Sequence, residues 1–175
     1  DPQEFEVANI NRQFGAMQST LGRSKAQVMA DYVRDINPEA DIRIFSEPID
    51  DSNAEDFLDG ADVFIDAIEF FEMDVRRMLF RQAADKGIYG ITAGPVGFSG
   101  IWIVFAPQGM SFDAYFDMSD EMSDLDKIVA FGIGVAPKAT QRSYMNLENL
   151  DPGTRAAPSS GLACQIASGA MACQV

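Results

Sequence analysis

At 175 residues, 47% of them apolar, the chain has the length of one ordinary domain and enough apolar material for a single sizeable core. A formal charge of −14, from 27 acidic against 13 basic residues, repels nucleic acid and anionic lipid, whose binding depends on cations displacing counterions. No apolar run approaches a bilayer span, the amino end has no charged-then-apolar signal layout, and the lack of any histidine excludes a Ser-His-Asp triad and a His-ligated metal, so a soluble, cytoplasmic protein using carboxylates, cations and backbone amides is expected.

The chain opens on Asp1-Pro2 without a methionine and stops at Val175 inside an apolar pattern, which predicts one domain truncated at its amino end and at its carboxyl end. Across residues 24–37, Ala26, Met29, Val33 and Ile36 recur at helical spacing and Asn37-Pro38 supplies a stop. Residues 41–45 alternate like a strand, and Ser52-Asn53 can cap a short helix through Leu58, ended by Gly60. Residues 63–66 read as an apolar strand ending in Asp66, residues 73–86 as a helix stopped by Gly87, and residues 88–92 as a strand. Strands separated by helices imply parallel pairing with right-handed crossovers. Residues 93–100 then turn into a strand over 101–105 that no helix precedes, so that strand is expected to be antiparallel and the sheet mixed. The acidic run from Ser119 to Asp124 reads as a solvated helix start, residues 138–158 as a long surface loop, and Cys164 and Cys173 as free thiols.

The stretch Asn9-Ile10-Asn11-Arg12-Gln13 carries the chemistry. Asp1 lies eleven positions before its arginine and Lys25 thirteen after it, which supplies one acid suited to ribose hydroxyls and two cations suited to phosphates if the fold brings them together. In an α/β sheet, ligands bind beyond the carboxyl ends of the strands, where this reading puts Asp66, Glu69 and the loop 93–95. Glu69 can bind Mg²⁺ through one carboxylate, with phosphates and waters filling the other positions. The residues alone leave a plainer reading open, in which Arg12 and Lys25 are solvated charges and Asp66 and Glu69 ordinary strand-end acids. Phe70 and Phe71 suit the wall of a nucleotide or partner site and suit core packing equally. Cys164 reads as a small residue packed on a closing helix.

Several ordered motifs carry a resemblance. Asp1-Pro2 with Phe5-Glu6 and Asn9 to Gln13 resembles the signature after the second strand in the ThiF/MoeB/HesA adenylyltransferases, relatives of ubiquitin-activating enzymes. Leu21-Gly22-Arg23-Ser24-Lys25-Ala26 resembles that family's "LG-x-x-KA" helix start, and Ile36-Asn37-Pro38 its "INP". The stretch 62–67 is similar to the strand before the metal-binding acid, "GPVGFSGIWIVF" to the hairpin, and residues 158–172 to the closing helix of members with a "GLACQ"-like segment. The resemblance implies a Rossmann-like three-layer fold with a mostly parallel sheet and an antiparallel hairpin extension. It also implies that a substrate carboxylate attacks the α-phosphate of Mg-ATP to give an acyl adenylate. By the same resemblance Asp1 holds the ribose, Asn9, Arg12 and Gln13 the phosphates, Lys25 the α-phosphate as charge builds, and Glu69 the magnesium.

Three departures bear on that transfer. The glycine-rich "GxGGxG" turn of the family belongs just before Asp1, so this chain by itself is expected to bind ATP poorly. The metal acid of the family is usually aspartate, and Glu69 is one methylene longer. The paired "CxxC" zinc site has no counterpart, so neither zinc nor a thioester step is expected. The implied partner is the tail of a ubiquitin-like or sulfur-carrier protein, or a small carboxylate, with a homodimer as the assembly. Two alternatives stand beside it: an impaired pseudoenzyme or partner subunit using the fold for docking, and a dinucleotide-binding oxidoreductase.

Overall fold

A computed structural model describes residues 2–144 and 160–175 of the chain. Helix α1 (Lys25–Ile36) begins where the Ser24 hydroxyl accepts the Gln27 N–H at 3.3 Å, a cap of the kind that contributes about 1 kcal/mol. It ends where Asn37 turns extended ahead of Pro38, a geometry that the proline ring imposes on its predecessor. Helix α2 (Ala54–Leu58) follows the cap residue Asn53 and stops at Gly60, whose φ is +71°. Strand β1 (Val63–Asp66) leads into helix α3 (Met73–Asp85), which closes in a Schellman arrangement: Ile88 N–H donates to Ala83 O, Gly87 N–H donates to Ala84 O, and Gly87 supplies the left-handed φ of +78°.

Strand β2 (Tyr89–Val96) pairs in parallel with β1, from Val63↔Tyr89 to Asp66↔Thr92, and antiparallel with β3 (Ser99–Phe105), from Gly90↔Phe105 to Val96↔Ser99. The sheet is therefore mixed, in the order β1-β2-β3. Residues 93–96, expected as loop, belong to β2. Their pairing with β3 continues through Pro95↔Gly100 and leaves only Gly97-Phe98 as the turn, with φ of +61° at Gly97. Residues 41–45 form no strand. Ile42 and Ile44 are half-buried while Asp41 and Arg43 are exposed, so the alternation reports one face packed inward, without a hydrogen-bonded neighbour strand among the described residues. Arg43 donates to Asp56 O at 2.7 Å and Phe45 meets Phe57 edge-on, which lays this segment along α2.

Three layers result. On one face of the sheet, Phe64, Phe105 and the α3 residue Phe80 pack with Phe112 and Phe116 of α4 (Phe112–Phe116) and Phe131 of α5 (Asp124–Val135). Phe80 sits at the centre, its ring 5.2 Å from those of Phe64 and Phe105 and 4.5 Å from that of Phe112. Gly90 lies under it, where a Cβ would come within 2.5 Å of the ring. On the other face, helix α6 (Gly161–Ala172) packs on the β2–β3 hairpin, so closely that a Cβ at Gly100 would meet the backbone of Ala167 at 2.9 Å. A 3₁₀ turn (Thr140–Ser143) carries Tyr144 to the hairpin tip, where its hydroxyl accepts the Phe98 N–H at 3.2 Å and its ring stacks on Phe98. The remainder of the loop expected over 138–158, from residue 145 onward, lies outside the described residues.

The acidic run after α4 has a second job besides starting α5. Ser123 caps that helix, accepting the Asp126 N–H at 3.2 Å, but Asp120 reaches back to α3 and accepts from Arg77 and Arg81, each at 2.9 Å. Asp113 of α4 accepts from the same two arginines at 2.7 Å each, and Lys127 of α5 donates to Asp74 of α3 at 2.8 Å. These pairs fasten α4 and α5 to α3 around the buried Arg77.

Phe80→Ala is expected to cost about 3–5 kcal/mol, a large share of a stability of about 5–15 kcal/mol, and thermal denaturation will show a correspondingly lower Tm. An unchanged Tm would refute the central place given to that ring. Hydrogen bonds from Arg81 and then Arg77 hold the Asp120 carboxyl below its ordinary value of 3.8. Its contribution is therefore fully present above 3.8 and is lost as pH falls through the lower folded value. Asp120→Asn should lower Tm at pH 7, and the gap to wild type should close in acid below that point; a gap independent of pH would contradict the pairing.

Candidate functional site

The first segment of the chain is held by short-range pairing with the start of α1. Phe5 N–H donates to Arg23 O, Gly22 N–H to Phe5 O, and Lys25 N–H to Gln3 O, so residues 3–5 run antiparallel to residues 22–25. Phe5 is buried against Ala16 and Val28 in a small core of its own. This pairing sets Lys25 beside Gln3, to whose side-chain oxygen its ammonium donates at 2.8 Å.

A 3₁₀ turn (Val7–Asn9) then builds the Asn9 to Gln13 loop around Asn9. The buried Asn9 side chain accepts the Glu6 N–H at 2.9 Å, and the Asn9 backbone carbonyl accepts the N–H groups of both Arg12 and Gln13. Asn9 thus shapes the loop. Arg12 is half-buried and folded onto that loop, donating to Ala8 O at 2.7 Å and to the Asn11 side chain at 3.1 Å. Gln13 is half-buried beside it, its carbonyl accepting the Ala16 N–H. The amino end of α6 abuts the same loop: a Cβ at Gly161 would come within 2.6 Å of Asn11 O, so only glycine permits the approach.

Electrostatics join this loop to the sheet. Lys25 is only 8% exposed, and burial lowers its pKa from the usual 10.5. The charges of Glu6 and then Glu69 raise it, and that of Arg12 lowers it. The charges of two other candidates, Arg12 and Glu69, therefore bear on the Lys25 ammonium. Asn9 and Gln13 share the loop of Arg12, while Asp1 lies outside the described residues.

Glu69 is exposed on the segment that leaves β1, with one carboxylate oxygen accepting the Phe70 N–H at 3.0 Å. An exposed single carboxylate fits the way Mg²⁺ is held when phosphates and waters complete its shell. Among the described residues, no three His, Cys, Asp or Glu side chains cluster in a way that could hold a metal by themselves. Phe71 packs edge-on against Phe70, which contacts Phe131 at 5.5 Å and remains 37% exposed, so Phe70 borders the core and the surface together.

Two expectations about this rim are corrected. Asp66 does not face a ligand: its side chain is 1% exposed, and its oxygens accept from Arg76 Nε at 2.8 Å, Thr92 Oγ1 at 2.7 Å and the Ile68 N–H at 3.0 Å. A buried carboxylate needs that many donors. Residues 93–95 do not form a ligand loop, because they lie within β2. The sequence reading gave no role to Glu6 or Arg76, although Glu6 stands in the Phe5-Glu6 motif. Arg76 left a trace, since helical spacing puts it with Met73 and Phe80 on the apolar face of α3.

The ThiF family matches over residues 1–175, the whole chain. The chain belongs to the ThiF family. ThiF relatives include the tRNA threonylcarbamoyladenosine dehydratase of Haemophilus influenzae, 37% identical over 98 residues, which are 55% of this chain and 37% of that protein. The SAMP-activating enzyme E1 of Haloferax volcanii is 26% identical over 138 residues, covering 78% of this chain and 50% of that one. In fold the chain is similar to E. coli MccB, at 15% identity. Against MccB solved with ATP, the TM-score is 0.55 with 81% of this chain and 46% of MccB covered. Against MccB solved with a form of MccA, it is 0.64 with 99% of this chain covered. The matched stretches span from about a third to half the length of these relatives.

Proposed function

We propose that this ThiF-family protein is an ATP-dependent adenylyltransferase that activates a substrate carboxylate as an acyl adenylate, without a thioester intermediate. The family match over the whole chain carries the reading, and the charges of Arg12 and Glu69 that bear on Lys25 support it, because a nucleotide's phosphates need cations and its metal needs an acid at one place. In the reaction, a carboxylate oxygen of the substrate attacks the α-phosphorus of ATP, the bond from that phosphorus to the bridging oxygen of the β-phosphate breaks, and pyrophosphate leaves with the electron pair. The nucleophile is already an anion, so the site has to position and neutralise rather than remove a proton. Lys25 is the group for charge building on the α-phosphate: it is anchored by Gln3 and by the start of α1, so it need not reorganise as the reaction proceeds. Arg12, already ordered on its own loop, binds the phosphates, with Asn9 and Gln13 shaping the turn beneath it. When bound, magnesium held by Glu69 supplies charge neutralisation for the leaving pyrophosphate.

A thioester step has little to work with. Cys164 is half-buried in α6, and Cys173 lies about 18 Å along that helix from its Gly161 end. For the substrate we favour the tail of a ubiquitin-like or sulfur-carrier protein, with a small carboxylate as the lesser option. The SAMP-activating relative matches the larger share of the chain, and a net charge of −14 opposes the tRNA that the dehydratase relative is named for. A homodimer is the assembly we expect.

One observation favours a second reading, an impaired partner subunit: Glu69 stands where the family usually has aspartate, and its carboxylate is engaged by the Phe70 N–H. Calorimetry that detects no Mg-ATP binding by the full-length protein would select it. The leading reading is tested by exchange of labelled pyrophosphate into ATP, again in the full-length protein with its carboxylate substrate. Lys25→Ala is expected to lower the exchange rate by about 100-fold or more, as loss of a preorganised charge-stabilising group does. An unchanged rate would refute the role given to Lys25.

A further inference from the structure

Arg76 is the most completely engaged side chain near the candidate site. It is 3% exposed, and each of its five N–H donors has an acceptor. Nε donates to Asp66 Oδ2 at 2.8 Å, Nη1 to Phe70 O at 3.3 Å and Met73 Sδ at 3.7 Å, and Nη2 to Ile68 O at 2.5 Å and Glu69 O at 3.2 Å. Its guanidinium also lies over the Phe131 ring, 4.8 Å from the centroid. Three consecutive carbonyls, those of Ile68, Glu69 and Phe70, thus converge on one buried cation. Glu69 O also accepts the Glu72 N–H at 3.0 Å, and Asp66 accepts the Ile68 N–H, so both ends of the segment are tied.

Few segments outside helices and strands bind their backbone this way. If the segment only had to connect β1 to α3, exposed carbonyls satisfied by water would serve. The arrangement instead gives the residue in its middle, Glu69, a fixed Cα position while leaving its side chain exposed. We propose that Arg76 is the positioning residue for Glu69, its planar guanidinium setting the backbone of residues 68–70 so that the exposed Glu69 carboxylate keeps a fixed place at the end of β1. Arg76 touches neither nucleotide nor substrate and acts through Glu69. The inference rests on the adenylation reading for the role of Glu69; the clamp itself does not.

The test is a double-mutant cycle on pyrophosphate exchange in the full-length protein, using Arg76→Lys, Glu69→Gln and the pair. Lysine keeps the charge that Asp66 needs but has three donors in place of five and no planar fork. Arg76→Lys should lower the exchange rate about 10- to 100-fold, the range typical when the partner orienting a functional carboxylate is lost, with KM for ATP changed far less than kcat. In the pair, Arg76→Lys should add no more than about twofold to the effect of Glu69→Gln, because residues acting as one unit are not additive. Independent, multiplying losses would overturn the proposal. A Glu69→Gln variant as active as wild type would overturn the adenylation role of Glu69, and an active variant distinguishes that failure from the former. Should Arg76→Lys not fold, Asp66→Asn with Arg76→Gln removes both buried charges and enters the same cycle with the same expected pattern. Amide hydrogen exchange supplies a readout that needs no ATP: the Ile68 and Glu72 amides should exchange at least about tenfold faster in Arg76→Lys, with the β2 amides unchanged. Equal protection at residues 68–72 would overturn the clamp.

Discussion

Asp66 and Arg76 must satisfy each other because neither reaches water, with side chains 1% and 3% exposed. Removing one partner of such a pair leaves an uncompensated buried charge, a loss of about 3–5 kcal/mol, whereas a well-packed apolar pair would serve stability as well. Stability is thus a poor reason for placing ions here. Geometry is a better one, because the pair joins the end of β1 to the first turn of α3 and, through Thr92, to β2. The segment between β1 and α3 can then take only one course, and Glu69 stands on it.

The three candidate residues stand on separate pieces of chain. Glu69 follows β1, the pairing of residues 3–5 with residues 22–25 places Lys25, and the turn built on Asn9 places Arg12. Helix α6 closes the group from the hairpin side, with Gly161 against the loop of Arg12 and Gly100 against Ala167, two contacts where any side chain would force the layers apart. Burial that lowers the pKa of Lys25 also strips water from it, so its charge is screened less than at an open surface. The charges of Glu6 and Glu69 act the other way, with burial the larger effect.

Helices α1 and α3 were legible almost to the residue, since Ser24, Asn37-Pro38 and Gly87 act locally and their signals do not depend on the rest of the fold. The hairpin was legible in kind but not in length: Gly94-Pro95 looks like a turn until pairing with Gly100 and Ile101 carries the strand through it. Residues 41–45 show the converse, because alternation records which side is buried and says nothing about a hydrogen-bonded neighbour. Arg12, Lys25 and Glu69 stand in ordered motifs, and their roles in a site belong to the proposal. Asp66 was misread and Arg76 passed over for one reason: an isolated charge in a sequence looks solvated, and only the fold shows that two of them, ten positions apart, are sealed together. Helix α4 has no signal in the sequence, since it is a single turn of mostly aromatic residues packed against the Phe80, Phe105 and Phe131 rings around it.

The claim on which the account rests is that Arg12, Lys25 and Glu69 border one nucleotide site. A crystal structure of the full-length protein with a non-hydrolysable ATP analogue and magnesium tests it most directly. The account predicts the α-phosphate within hydrogen-bond distance of Lys25 Nζ, the phosphates against Arg12, and the metal on the Glu69 side. A triphosphate bound elsewhere, with Lys25 still donating to Gln3 and remote from any phosphate, would contradict it.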